Sequence, residues 1–143
     1  MPVRKAEATW KGDLKTGEGW VKSQTGSVSG TFSAPSRFED GAGTNPEELI
    51  GAAHAGCFSM AFSAELSGEG FTPKAIDTKA AVTIEKQGDG YAITGIALST
   101  KCDVPGIDED TFQNVARRAK ENCPVSKALS AVKIDLEAEL IAH

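Results

Sequence analysis

Two histidines and three cysteines in 143 residues leave few ways to build a reactive centre. Cys57, Cys102 and Cys123 have neither the Cys-x2-4-Cys spacing of zinc modules nor the even count of a secreted disulfide framework, so no metal site is expected. There is no Walker loop and no dinucleotide fingerprint, because the glycines of the first 32 residues separate short extended pieces and open no helix. Positive charge is also in deficit: 15 Lys and Arg stand against 20 Asp and Glu, a net charge of −5, which gives no electrostatic argument for nucleic acid or an anionic membrane. The basic residues near Met1 are followed by no apolar stretch, so the start does not read as a secretory signal, and a cytoplasmic location is expected. Leu49 to Phe62, the longest apolar-looking run, is interrupted by His54 and Ser59 and falls short of the roughly 20 residues that span a bilayer. It reads as a buried helix.

With 40% apolar and 24% charged residues, the chain has the composition of a globular protein, and 1–143 is expected to form a single domain. Glu7 to Phe32 alternates in short pieces between glycines and predicts a β-meander carrying Trp10 and Trp20. Ser33 to Gly43, with Pro35, Gly41 and Gly43, reads as irregular loop. Thr44-Asn-Pro-Glu-Glu48 then combines an N-cap residue, a proline at the first helical position and first-turn acids, so a helix should run to about Ser67, stopped by Gly68 and Gly70. Its Gly51 to Gly56 stretch has almost no side-chain bulk, which implies that something approaches that backbone closely. Ile76 to Lys86 and Tyr91 to Thr100 alternate apolar with polar residues and predict a long hairpin. Phe112, Val115, Ala116 and Ala119 mark a helix over Asp108 to Asn122, Pro124 breaks it before a short helix, and Val132 to Ile141 alternates as a last strand. Strands at both ends around helices imply an α+β fold with antiparallel sheet and no βαβ unit.

A Ser-His or Cys-His hydrolase would have to use His54, three residues before Cys57 on one helix, whereas a nucleophile and its base normally face each other from different elements. His54 therefore reads as a helix residue that packs or meets solvent. Glu47-Glu48 is explained as a pair of first-turn helix acids. Thiol chemistry remains. Cys57 lies mid-helix among small residues, where a buried thiol is either an inert hydrophobe or a nucleophile that its surroundings must ionise. Cys123 lies at a helix break before Pro124, near the start of the next helix, a setting that favours a thiolate. Cys102 falls at a strand end and reads as packing.

Gly43-Thr-Asn-Pro-Glu-Glu-Leu-Ile-Gly-Ala-Ala-His-Ala-Gly-Cys57-Phe-Ser-Met, with Asn122-Cys-Pro-Val-Ser126 far downstream, resembles the OsmC/Ohr family of thiol peroxidases. Trp10-Lys-Gly-Asp13, Ser36-Arg-Phe-Glu39 and Val104-Pro-Gly-Ile107 are similar to its OsmC branch, so that the resemblance covers essentially the whole chain. It implies a peroxidase that reduces organic hydroperoxides, and hydrogen peroxide less well, without metal, haem or other cofactor. Cys57 would be the peroxidatic cysteine, Cys123 the resolving one, Glu47 the catalytic glutamate and Arg37 the arginine of the OsmC branch, with recycling by a dithiol protein carrying a dihydrolipoyl group. Cys102 matches no family role. The chemistry agrees: a permanent Arg37 cation would favour a thiolate, Glu47 could orient the guanidinium through two bonds, and a Cys57 sulfenic acid would condense with Cys123.

Ten helical residues at 1.5 Å each separate Glu47 from Cys57 by roughly 15 Å, too far for contact within one chain. Together with the intertwined dimer of the resembled family, in which antiparallel sheets wrap long central helices, this implies a C2 homodimer with two interfacial active sites. Two other functions fit the same residues. A hydrophobic-ligand carrier on this fold would leave the thiols unchanged, and a Cys57/His54 acyl-transfer enzyme would form an acyl adduct.

Overall fold

A computed structural model describes residues 1–141 of the chain and resolves two compact units, Met1–Leu49 and a second from Ile50 onward, whose boundary falls inside one long helix. In the first unit, β1 (Ala6–Lys11), β2 (Glu18–Ser23) and β3 (Ser29–Phe32) form the expected antiparallel meander in the order β1-β2-β3. The Trp10 and Phe32 rings lie 5.4 Å apart, and Trp10 Nε1 donates to Gly12 O at 2.9 Å.

Ser33 to Gly43 is not wholly irregular, as its glycines and proline had suggested. It contains α1 (Ala34–Phe38), because Pro35 sits in the first helical turn, where its missing N–H has no intrahelical partner to lose. Ser33 and Ser36 close the start reciprocally: Ser36 N–H donates to Ser33 Oγ at 3.2 Å and Ser33 N–H to Ser36 Oγ at 2.8 Å. The following turn is fixed at Gly43, whose φ is +111°. A Cβ there would come 2.5 Å from Thr31 O, the oxygen that accepts Thr44 N–H at 2.7 Å. Gly43→Ala should cost about 1–3 kcal/mol from the disfavoured φ alone, and the backbone clash adds to that. Chemical denaturation that shows an unchanged midpoint would overturn this account.

The long helix, α2, runs Pro46–Gly68. Asn45 Oδ1 accepts from Glu48 N–H at 2.8 Å at its start, and Phe71 N–H donates to Leu66 O at 2.9 Å beyond its end. Its 23 residues extend past the apolar run on both sides, and with a mean hydropathy of 1.2 in its most apolar window it reaches the length and apolarity of a membrane-crossing helix. A core helix meets the same description, and His54, Phe58, Phe62 and Leu66, each four residues apart, are all fully buried. Gly51 faces β4, with Val82 Cγ2 only 3.5 Å from where its Cβ would stand, whereas Ala52, Ala53, Gly56 and Met60 are exposed. Close approach thus accounts for Gly51 and not for the rest of the small-residue stretch.

In the second unit, β4 (Ala75–Gln87) and β5 (Gly90–Asp103) form the long antiparallel hairpin, and Asp108 caps α3 (Glu109–Asn122) through Thr111 N–H at 3.0 Å. The apolar residues read as helical are the buried ones: Phe112, Val115, Ala116 and Ala119. Together with Phe58, Phe62 and Leu66 of α2 and Ile96, Leu98, Cys102 and Val104 they make the core. After α4 (Pro124–Ala128), β6 (Lys133–Leu140) pairs with β5 in parallel, in the order β4-β5-β6. The α+β class holds, but this sheet is mixed, and β5-α3-α4-β6 is a βαβ crossover that the strand pattern had not indicated. Alternation is the same for either strand direction. The direction follows from the connection, whose two helices are long enough to carry the chain back to the starting end of β5.

Candidate active site

The first unit builds a fixed cation. Ser36 is nearly buried, and its hydroxyl lies 2.7 Å from Thr44 O; Asn45 Nδ2 donates to Ser36 O at 3.1 Å. These bonds tie the α1 end to the start of α2, so the next residue, Arg37, meets Glu47. Arg37 Nε donates to Glu47 Oε1 at 2.9 Å and Nη2 to Oε2 at 3.1 Å, two parallel bonds to a side chain that is 7% exposed. A planar fork held at both prongs has little freedom left, and its remaining N–H groups point elsewhere. The guanidinium also lies 5.4 Å from the Phe38 ring centroid. Trp10, Leu14, Phe32, Ala34 and Phe38 line an apolar hollow on which Arg37 borders.

The second unit builds a thiol pair. Cys57, in the middle of α2, is half-buried and not fully enclosed as its position had suggested. Cys123 is fully buried; it ends α3 and precedes Pro124, with φ −59° and ψ 123°, so the helix break aims its side chain back at α2. The two sulfurs are hydrogen-bonded at 3.1 Å. A disulfide requires about 2.05 Å, hence an approach of only about 1 Å from this arrangement. Residues 66 positions apart are thereby poised for oxidation.

Their electrostatics differ. Burial pushes the Cys57 thiol up, with a further rise from Cys123, against one favourable bond from the Val125 amide; no cation is among these groups. Burial also raises Cys123, but the Ser126 amide, the Cys57 thiol, the Ser126 hydroxyl and the Val125 amide together outweigh it and hold Cys123 below the ordinary cysteine value. The first thiolate of the pair is therefore stabilised at the Cys123 side, and Cys57 needs a charge from elsewhere. Cys102, far along β5, is buried in the core with Thr100 Oγ1 at 3.4 Å, and burial pushes its thiol up. It is a packing residue, as expected.

All four residues proposed from the sequence thus fall into two built constellations, Arg37 with Glu47 and Cys57 with Cys123. His54 does not meet solvent. It is fully buried, its Nε2 lies 2.8 Å from Ser126 Oγ, and burial pushes its imidazole down, so it is neutral. Ser126 had been given no role by itself. The signal for His54 was present in its spacing from Phe58, Phe62 and Leu66, which extends the buried stripe by one turn.

The OsmC-like protein family model matches residues 39–137, a stretch that contains Glu47 and both paired cysteines. The chain belongs to the OsmC family. Peroxiredoxin OsmC of Escherichia coli (strain K12) is 49% identical over 138 residues, covering 96% of each chain. The organic hydroperoxide resistance protein of Xanthomonas axonopodis pv. citri is 33% identical over 89 residues, 62% of this chain and 61% of that one. Among solved structures, the organic hydroperoxide resistance protein OhrB of Bacillus subtilis superposes with a TM-score of 0.69 at 25% identity, over 96% of this chain and 98% of its own. The OsmC-family fold thus accounts for nearly the whole chain.

Proposed function

We propose that this OsmC-family protein is a thiol peroxidase that reduces organic hydroperoxides to alcohols, with Cys57 peroxidatic and Cys123 resolving. The observation that carries the reading is the 3.1 Å pair formed by a half-buried and a fully buried thiol. The Cys57 thiolate attacks the outer peroxide oxygen and breaks the O–O bond; the alkoxide leaves and takes a proton to become the alcohol, and Cys57 becomes a sulfenic acid. Cys123 then attacks the Cys57 sulfur, expelling hydroxide as water and forming the disulfide. An external dithiol, of the dihydrolipoyl type, returns both thiols, and the cycle needs no metal or other cofactor.

An organic substrate is supported by the apolar hollow of Trp10, Leu14, Phe32 and Phe38, which borders Arg37, a cation that would favour charge on sulfur and oxygen. Arg37 and Glu47 serve Cys57 of a second subunit. In support, roughly 15 Å of helix separates Glu47 from Cys57 along α2, and the α2 face of Ala52, Ala53, Gly56 and Met60 is exposed, with Met60 77% accessible. The functional unit is then one OsmC-like domain, 1–143, assembled as a C2 homodimer with two interfacial sites in the reducing cytoplasm.

Mass spectrometry of the reduced protein after one equivalent of cumene hydroperoxide tests the reading. A loss of two hydrogens that maps to Cys57 and Cys123 is expected. Unchanged thiols would instead indicate a carrier of hydrophobic ligands.

A further inference from the structure

We propose that Glu65 is a positioning residue for the resolving thiol: its carboxylate, bonded to Arg118 and to Asn122, the residue before Cys123, holds the end of α3 on α2 and with it the Cys123 sulfur on Cys57. The inference deepens the peroxidase reading and rests on it for its catalytic meaning.

Helical spacing puts these groups in register. Arg118 and Asn122 lie four residues apart on α3 and share one face, as do Glu65 and Glu69 towards the end of α2. Arg118 Nε donates to Glu65 Oε2 at 2.7 Å and its Nη2 to Glu69 Oε1 at 3.0 Å, while Asn122 Nδ2 donates to Glu65 Oε1 at 3.1 Å. One carboxylate therefore uses both oxygens on α3: the arginine fixes its orientation, and the amide reaches it from the last residue of the helix. Ala119 and Cys123, each one position further along, are fully buried, so this polar pair borders the face that carries the resolving thiol.

The helix break needs such a tie from outside. Cys123 ends α3 and precedes α4, and the start of α4 has no side-chain cap. On the α4 side, His54 Nε2 and Ser126 Oγ lie 2.8 Å apart and join that short helix to α2; on the α3 side the corresponding link is Asn122 to Glu65. His54 and Glu65 stand on either side of Cys57 along α2, so the break is held from both directions, with its sulfur 3.1 Å from that of Cys57. The Glu65 and Arg118 side chains are 25% and 42% exposed, and an ion pair in that setting adds little to global stability. Its effect is local order at Cys123.

That order acts on one step. The Cys123 thiolate attacks the Cys57 sulfenic sulfur, the S–S bond forms, the S–O bond breaks, and the departing hydroxide takes a proton to become water. The attack is intramolecular, so its rate rises with the fraction of time that the two sulfurs spend in contact. The disulfide is held covalently, whereas the dithiol relies on the clamp. Releasing the clamp loosens the reduced state more than the oxidised one, and the pair becomes harder to oxidise.

Asn122→Ala tests this directly, since alanine is the better helix former and leaves α3 itself no weaker. In Asn122→Ala and in Glu65→Ala, disulfide formation after hydroperoxide should slow about tenfold, with sulfinic acid appearing on Cys57, while sulfenic acid forms there at the unmodified rate. Equilibration with oxidised and reduced dithiothreitol should show the equilibrium constant of the Cys57–Cys123 disulfide lowered about tenfold in both variants. The double variant should be no worse than Glu65→Ala, because the two substitutions remove one shared contact. Arg117→Ala, which removes an exposed bond to Asn114 Oδ1 on the same helix, should change neither quantity. An unchanged rate and constant in Asn122→Ala overturns the clamp even if Glu65→Ala fails to fold, and so does an equal loss in Arg117→Ala. If dithiothreitol gives the stated shifts but hydroperoxide oxidises neither thiol, the clamp stands and the peroxidase reading falls.

Discussion

Replacing Cys57 by serine is expected to lower hydroperoxide reduction on the order of a thousandfold or more, because a hydroxyl in that position is neither ionised nor soft enough to attack an O–O bond. The three cysteines give three distinct outcomes. Cys102→Ser should leave turnover near the unmodified level, since that sulfur is enclosed in the core beside Thr100 and burial pushes its thiol up. Cys123→Ser should permit a single reduction and then stall, with the sulfenic acid on Cys57 ageing to sulfinic acid as peroxide is added, because the partner 3.1 Å away has lost its nucleophile. Turnover with a dithiol reductant gives the first two results, and the mass of the Cys57 peptide gives the third. Similar losses in Cys57→Ser and Cys102→Ser would mean that the pair has been misassigned.

Much of this was legible in the sequence, and the failures have physical causes. The hairpin of β4 and β5 and the buried face of α3 follow directly from period-2 and period-3.6 patterns, which report burial and little else. Because the pattern reports burial and not direction, β6 alternated convincingly but gave no sign of running parallel to β5. In α1, Pro35 had been read as a breaker; its effect depends on whether it falls in the first turn, which the Ser33 and Ser36 caps decide. The site divides in the same way. Arg37 and Glu47 make chemical sense together once both are suspected, and the structure joins them with two bonds. No local pattern could bring Cys57 to Cys123 across 66 residues; that pairing came from the family resemblance. Of the two places open to His54, packing or solvent, the structure shows packing, on the buried stripe continued by Phe58, Phe62 and Leu66.

The remaining large effect concerns the second subunit. Burial pushes the Cys57 thiol up, and no cation is among the groups acting on it, so Arg37 is expected to reach Cys57 from a partner, and Arg37→Ala should abolish most activity. Co-expression of Cys57→Ser with Arg37→Ala separates the possibilities. Each homodimer lacks an essential group at both sites. In the heterodimer, one site combines an intact Cys57 and Cys123 from one chain with an intact Arg37 and Glu47 from the other, while the second site carries both defects. Random assortment makes half the dimers mixed, each with one working site of two, so activity should recover to about a quarter of the unmodified level. Alkylation of Cys57 against pH should follow the same rule, with the lowered thiol midpoint regained in only the intact site. Co-expression is required because intertwined chains need not exchange once folded. Verified heterodimers without recovery would place Arg37 with Cys57 of its own chain, and the exposed small-residue face of α2 would then need another explanation.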